Sequence, residues 1–120
     1  MGTSFVEYKG FGFWTRDSFL ESWLTTLLGQ IHKLPTLEPW QQSLAEHLRS
    51  QVVIDGGCVS LGLDEFLTDD ARTAFLLSLA RVALGSAKPL GHRTGELFID
   101  LLAGRLNTTA SSPIDYLDAS

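Results

Sequence analysis

Four carboxylates lie within the seven residues "DEFLTDD": Asp64, Glu65, Asp69 and Asp70. Two uses fit this spacing. Asp69 and Asp70 precede a long apolar segment, where carboxylates cap a helix and sit at the positive end of its dipole. The whole group can also form a negative patch, which speeds association with a basic partner and disfavours wrong ones. Calcium is excluded by the pattern upstream. With Glu65 as the last ligand of an EF-hand loop, Ile54, Gly56 and Cys58 would occupy positions that need side-chain oxygens.

Cys58 is the only cysteine, in a glycine-flanked loop. A thiol nucleophile needs a base within hydrogen-bond reach. The nearest histidine upstream, His47, lies on an earlier element, and nothing in the spacing brings the two together. Cys58 therefore reads as a small, partly buried thiol without essential chemistry. Zinc would want ligands grouped at short spacing, and His32, His47 and His92 are far apart in the chain. The glycines match neither the dinucleotide fingerprint nor the phosphate loop. No acid, base and nucleophile converge, so no enzyme activity, cofactor or metal is expected.

The other concentrated feature is "YKGFGFWTRDSF", residues 8–19. Phe11, Trp14 and Phe19 are expected to plug one end of a helical core. Tyr8 and Trp14 are candidate contact residues, because Tyr and Trp are enriched in binding hot spots.

The elements that must position these residues read as helices. Leu20, Trp23, Leu24, Leu27, Leu28 and Ile31 recur at three- and four-residue steps, so Ser18 to Lys33 is predicted helical. Ser18 and Glu21 form a candidate capping box, with Asp17 as a rival cap, and Leu34-Pro35 closes the helix. A second helix is predicted from Thr36, with Pro39 in its first turn, to near Val53 or Ile54. Leu37, Trp40, Leu44, Leu48 and Val52 form its buried stripe; Gln41, Gln42, Glu46 and Arg49 face water. Asp55-Gly56-Gly57 breaks it, and residues 52–61 carry a competing hairpin signal.

Leu63 to Leu67 predicts a short helical turn. Thr68 is the expected N-cap of a helix running to Leu84, apolar on most sides and hence expected at the centre of the fold. Gly85 suits a left-handed helix end. A last helix is predicted from Thr94 to Asn107, followed by a flexible tail over residues 108–120, in which Ile114, Tyr116 and Leu117 could dock back. The fold class is therefore all-α, a single domain spanning 1–120 built as a small bundle of four main helices. Its expected core contains Trp23, Trp40, Phe75, Leu79 and Leu101.

A chain of 120 residues is long enough to bury its own core. Net charge is −5, spread over both halves, and the nine Lys and Arg occur mostly singly. That is a poor footprint for phosphates, so nucleic acid is not an expected partner. No apolar run approaches the ~18 residues of a membrane span. The first residues lack the basic and apolar regions of a secretory signal, and Val6 fails the myristoylation pattern. A soluble cytoplasmic protein is expected.

"GCVSLGLDEFLTDDAR", residues 57–72, and "GFWTRDSFLESWL", residues 12–24, resemble small uncharacterised bacterial proteins of all-helical type. In size and acidity the chain is similar to the immunity proteins that neutralise secreted bacterial toxins. The resemblance implies a non-enzymatic inhibitor of a basic protein partner. The residues leave a second reading open, a small-molecule binder with an apolar cavity between helices. They also leave the oligomeric state open, a homodimer included.

Overall fold

The computed structural model of the chain describes residues 3–53 and 61–108. It is mainly helical but not all-α. Two antiparallel strands, β1 (Thr3–Tyr8) and β2 (Phe11–Arg16), precede helices α1 (Asp17–His32), α2 (Pro39–Val53), α3 (Leu63–Phe66), α4 (Asp70–Leu84) and α5 (Pro89–Leu102). The aromatic lead-in is thus a β-hairpin. Its two-residue turn is Lys9-Gly10, both with positive φ (53° and 85°), the geometry of a type I′ turn that matches strand twist.

The register pairs Tyr8 with Phe11, Val6 with Phe13, Ser4 with Thr15 and Phe5 with Trp14. Side chains alternate across the hairpin. Val6, Tyr8 and Phe13 enter the core together with Ser4 and Thr15, while Phe11 stays 43% exposed at the turn end of the same face. The expected plug is therefore rearranged. Tyr8 and Phe13 are inside, and Phe11, Trp14 and Phe19 are exposed or half-buried.

The buried hydroxyls pin the hairpin to the helices. The Ser4 hydroxyl donates to the Asp17 carboxylate at the start of α1, and the Thr15 and Thr94 hydroxyls bond at 2.8 Å. Asp17 is the first residue of α1, whose N-cap is Arg16 with no side-chain bond. The capping box expected at Ser18 does not form, because the helix begins before it.

α1 buries the six residues its periodicity named. It packs against α2, α4 and α5, and α4 also packs against α5. α1, not α4, is the central helix. α4 buries only Leu76, Ala80 and Ala83. Leu79 and Trp40 from α2 pack on the rim of the core, and half-buried Phe75 sets its ring 5.5 Å from that of Trp40, whereas Trp23 and Leu101 lie inside the core.

Helix ends refine the remaining expectations. α2 starts at Pro39 rather than Thr36. The side-chain oxygen of Gln41 reaches back to the Glu38 N–H at 2.8 Å, which turns Gln41 inward instead of toward water. Asp69, not Thr68, caps α4 by accepting from the Arg72 N–H at 2.8 Å. Gly85 is right-handed at φ −64°, so the left-handed end expected there is absent. α5 starts at Pro89, five residues before Thr94, and ends at Leu102, before the expected Asn107. Gly91 and Gly95 let it approach α1, because a Cβ at either would strike the Trp23 backbone or ring. The hairpin signal at residues 52–61, Cys58 and the tail over 109–120 lie outside the described residues, except for the flanks of the first.

Candidate functional site

The fold brings the hairpin turn at Lys9 and the acidic turn at Asp64, 55 residues apart, to one end of the molecule. The hairpin turn meets α3 directly. The Lys9 N–H donates to the Asp64 carboxylate, at 3.0 Å to Oδ1 and 3.3 Å to Oδ2. Lys9 is the one non-glycine with positive φ among the described residues, so this carboxylate holds the most constrained residue of the turn. Next to it, the Tyr8 and Thr73 hydroxyls bond at 2.7 Å and tie the strand to α4. The Lys9 ammonium lies 5.3 Å from the centre of the Tyr8 ring.

Between the turn, the first turns of α4 and the end of α5 lies a recess of about 290 Å³. Phe11, Leu101, Leu102 and Leu106 supply apolar walls, and Tyr8, Asp70, Thr73 and Asn107 supply polar groups. Thr108 closes the chain back onto β2. Its carbonyl accepts from the Gly12 N–H at 2.8 Å, and its hydroxyl donates to the Gly12 carbonyl. Gly12 admits no side chain here, since a Cβ would meet the Val6 carbonyl and the Phe5 ring.

The candidate residues divide by environment. Asp64 accepts from the hairpin turn and Asp69 from the α4 backbone, so both carboxylates have structural partners. Glu65 and Asp70 are exposed at the same end. Tyr8 is only 4% exposed, which corrects the reading of it as a surface anchor. Its phenol points to Thr73. Trp14 lies on the opposite hairpin face, half-buried, with its ring 5.2 Å from that of Phe5. It does not join the acidic group.

Sequence reasoning missed Phe11, Lys9, Thr73 and Asn107 at the recess. The available signal was Lys9-Gly10, a two-residue break between runs rich in aromatic and β-branched residues.

The histidines remain separate. His32 Nε2 lies 2.8 Å from Arg49 Nη2. His47 packs on Phe66, and His92 lies 3.8 Å from Glu96. Among the described residues, no three His, Cys, Asp or Glu side chains are grouped to hold a metal ion. No helix among them is long and apolar enough to cross a membrane.

Comparison with protein-family models, with curated proteins and with solved structures finds no match for this chain.

Proposed function

We propose that the protein acts through protein–protein contacts made at the end where the hairpin turn meets α3 and α4. One observation carries this reading: an exposed Phe11 and Asp70 line a largely apolar recess, and Glu65 is exposed on α3, whose Asp64 holds the hairpin turn. A partner presenting an apolar side chain flanked by Lys or Arg complements that arrangement. The apolar group would enter the recess, and the carboxylates would attract the basic flank. An immunity-type inhibitor of a basic protein works by contacts of this class, and the proposal includes that role. The four-helix bundle is proposed as its rigid support, with α1 at the centre.

The test places a photo-crosslinking residue at Phe11, and separately at Arg49 on the outer face of α2, in the native host. A specific adduct from position 11 but not from position 49 identifies the partner. Association rates are then measured for Glu65→Gln with Asp70→Asn at low and high salt. Slower association at low salt, converging with the wild type at high salt, fits screening of exposed charges. Equal rates at low salt would remove the acidic rim from the docking surface.

A second reading, a small apolar ligand in the recess, is favoured by one observation. Tyr8, Thr73 and Asn107 supply convergent polar groups around apolar walls, the pattern of ligand sites. At about 290 Å³ the recess sits at the lower limit of such pockets. A ligand that raises the melting temperature of the wild type, but not of Leu102→Phe, would support it.

A further inference from the structure

The outer face of α4 differs from the outer faces of its neighbours. On α1, Ser18, Glu21, Thr25, Gly29 and His32 are exposed, and on α2 Gln42, Ser43, Glu46, Arg49 and Ser50. These are the polar faces expected of amphipathic helices. On α4 the exposed positions through Val82 are Asp70, Ala71, Ala74, Ser78, Arg81 and Val82. Val82 is 57% exposed. Phe75 and Leu79 border this stripe, half-buried, on one side and Leu77 on the other. The centre of the face therefore carries small and apolar side chains, with one charge near each end.

The charges at the two ends are opposite. Asp64, Glu65, Asp69 and Asp70 lie at the N-terminal end of α4. From residue 71 to 95 the chain contains no Asp or Glu; Arg72, at the N-terminal end, turns its guanidinium over the Trp40 ring and onto the Phe66 carbonyl, and Arg81 and Lys88 lie at and just beyond the C-terminal end. Arg81 and Lys88 are both exposed. Arg81 stands about 17 Å along the helix axis from Asp70, at 1.5 Å per residue. Leu90, 50% exposed at the start of α5, extends apolar surface beyond the basic end.

The geometry points to a second copy of this chain as the occupant of this face, docked through α4 against α4 in antiparallel two-fold symmetry. A symmetric contact must be complementary to itself. An antiparallel crossing brings Asp70 of each copy to Arg81 of the other, with Ala74 and Ser78 near the axis, where their small side chains permit close approach. A parallel crossing would set acid against acid and base against base. The charge pattern selects the first. One helix face is small beside the ~1,200–2,000 Å² of a standard interface, so the dimer dissociates on dilution. This contact shares Asp70 with the recess contact proposed above, and Arg81 and Val82, at the other end of α4, belong to it alone, so Val82→Glu tests it without touching the recess.

The experiment is sedimentation of the whole chain over a dilution series. The wild type should shift with concentration from the 13.2 kDa chain mass toward twice that value. Asp70→Lys and Arg81→Glu should each remain monomeric, since each opposes like charges in the homodimer. Mixed in equal amounts they should recover the dimer. In that heterodimer the two substituted positions face each other with opposite charge, and so do the two unsubstituted ones. Val82→Glu should also be monomeric, with the helical circular dichroism of the wild type. It keeps the test decisive where Asp70→Lys weakens the start of α4. A wild type that stays at the chain mass at its highest soluble concentration overturns the proposal and leaves the face to a partner of different sequence. Dimers that survive Val82→Glu place the contact elsewhere. Failure of the mixed charge variants to associate overturns the antiparallel arrangement.

Discussion

Replacing Gly95 with Ala should destabilise the protein, although the same change raises intrinsic helix propensity. In an exposed helix interior, Gly→Ala gains about 1 kcal/mol. Gly29 provides that case, since it is exposed in α1 and a Cβ there meets nothing within 4 Å. At Gly95 the new Cβ would lie 2.6 Å from two atoms of the Trp23 ring and 3.0 Å from a Leu84 methyl. Ordinary contact begins near 3.4 Å, so the indole must move by several tenths of an ångström. It has little room, because Trp23 is fully buried with the Phe98 ring 5.7 Å away. Overpacking of this kind costs about 1–3 kcal/mol, enough to outweigh the propensity gain. At Gly91 the obstacle is the Trp23 backbone nitrogen at 2.8 Å, which moves only with α1. The expected order of stability is therefore Gly29→Ala above wild type, then Gly95→Ala, then Gly91→Ala. Urea denaturation measures it, with thermal melting as a second readout at about 4 °C per kcal/mol. In the background of Trp23→Phe, which shortens the obstructing ring, the penalty of Gly95→Ala should shrink. Equal gains for Gly29→Ala and Gly95→Ala would refute the close packing of α5 on α1.

Two further outcomes follow from the hairpin. Thr94→Val leaves the buried Thr15 hydroxyl without its 2.8 Å partner and should cost about 1–3 kcal/mol, whereas Thr15→Val with Thr94→Val should recover much of that loss; a double-mutant cycle without coupling would refute the bond. Lys9→Asn supplies the residue favoured at positive φ in a type I′ turn and should raise stability by a few tenths of a kcal/mol in denaturant titration, while a loss would contradict the turn geometry.

Helices whose apolar residues recur cleanly were legible: α1, α2, α3 and α4 lie within a few residues of their expected positions. The hairpin was hidden for a specific reason. Its inner face contains Ser4 and Thr15, and its outer face contains Phe5 and Trp14. Neither face reads as consistently apolar or polar, so alternation disappears from the sequence. The two inner hydroxyls can be buried because Asp17 accepts from Ser4 and the Thr94 hydroxyl bonds that of Thr15, each partner distant in sequence. The start of α5 is obscured because Gly91 favours a helix interior only through its close approach to the α1 backbone at Trp23. The apolar content of α4 predicts a central helix. The tertiary structure instead leaves Ala71, Ala74 and Val82 outside.

The same tertiary constraints decide which acidic residues can report on binding. Asp64 holds a positive-φ turn residue, and Asp69 caps α4. Removing either carboxylate disturbs the position of Phe11 or the start of α4 before any partner arrives. A weaker complex from Asp64→Asn would mix lost charge with a displaced turn, and so cannot locate the docking surface. Glu65 and Asp70 share the same end of the molecule without those particular backbone bonds. Their neutralisation leaves the turn and cap bonds in place and removes only the favourable placement of Asp70 in the first turn of α4, about 0.3–1 kcal/mol. A salt-dependent fall in association rate from that pair, without a matching loss in melting temperature, is thus the signature that separates electrostatic docking from structural support at this end of the fold.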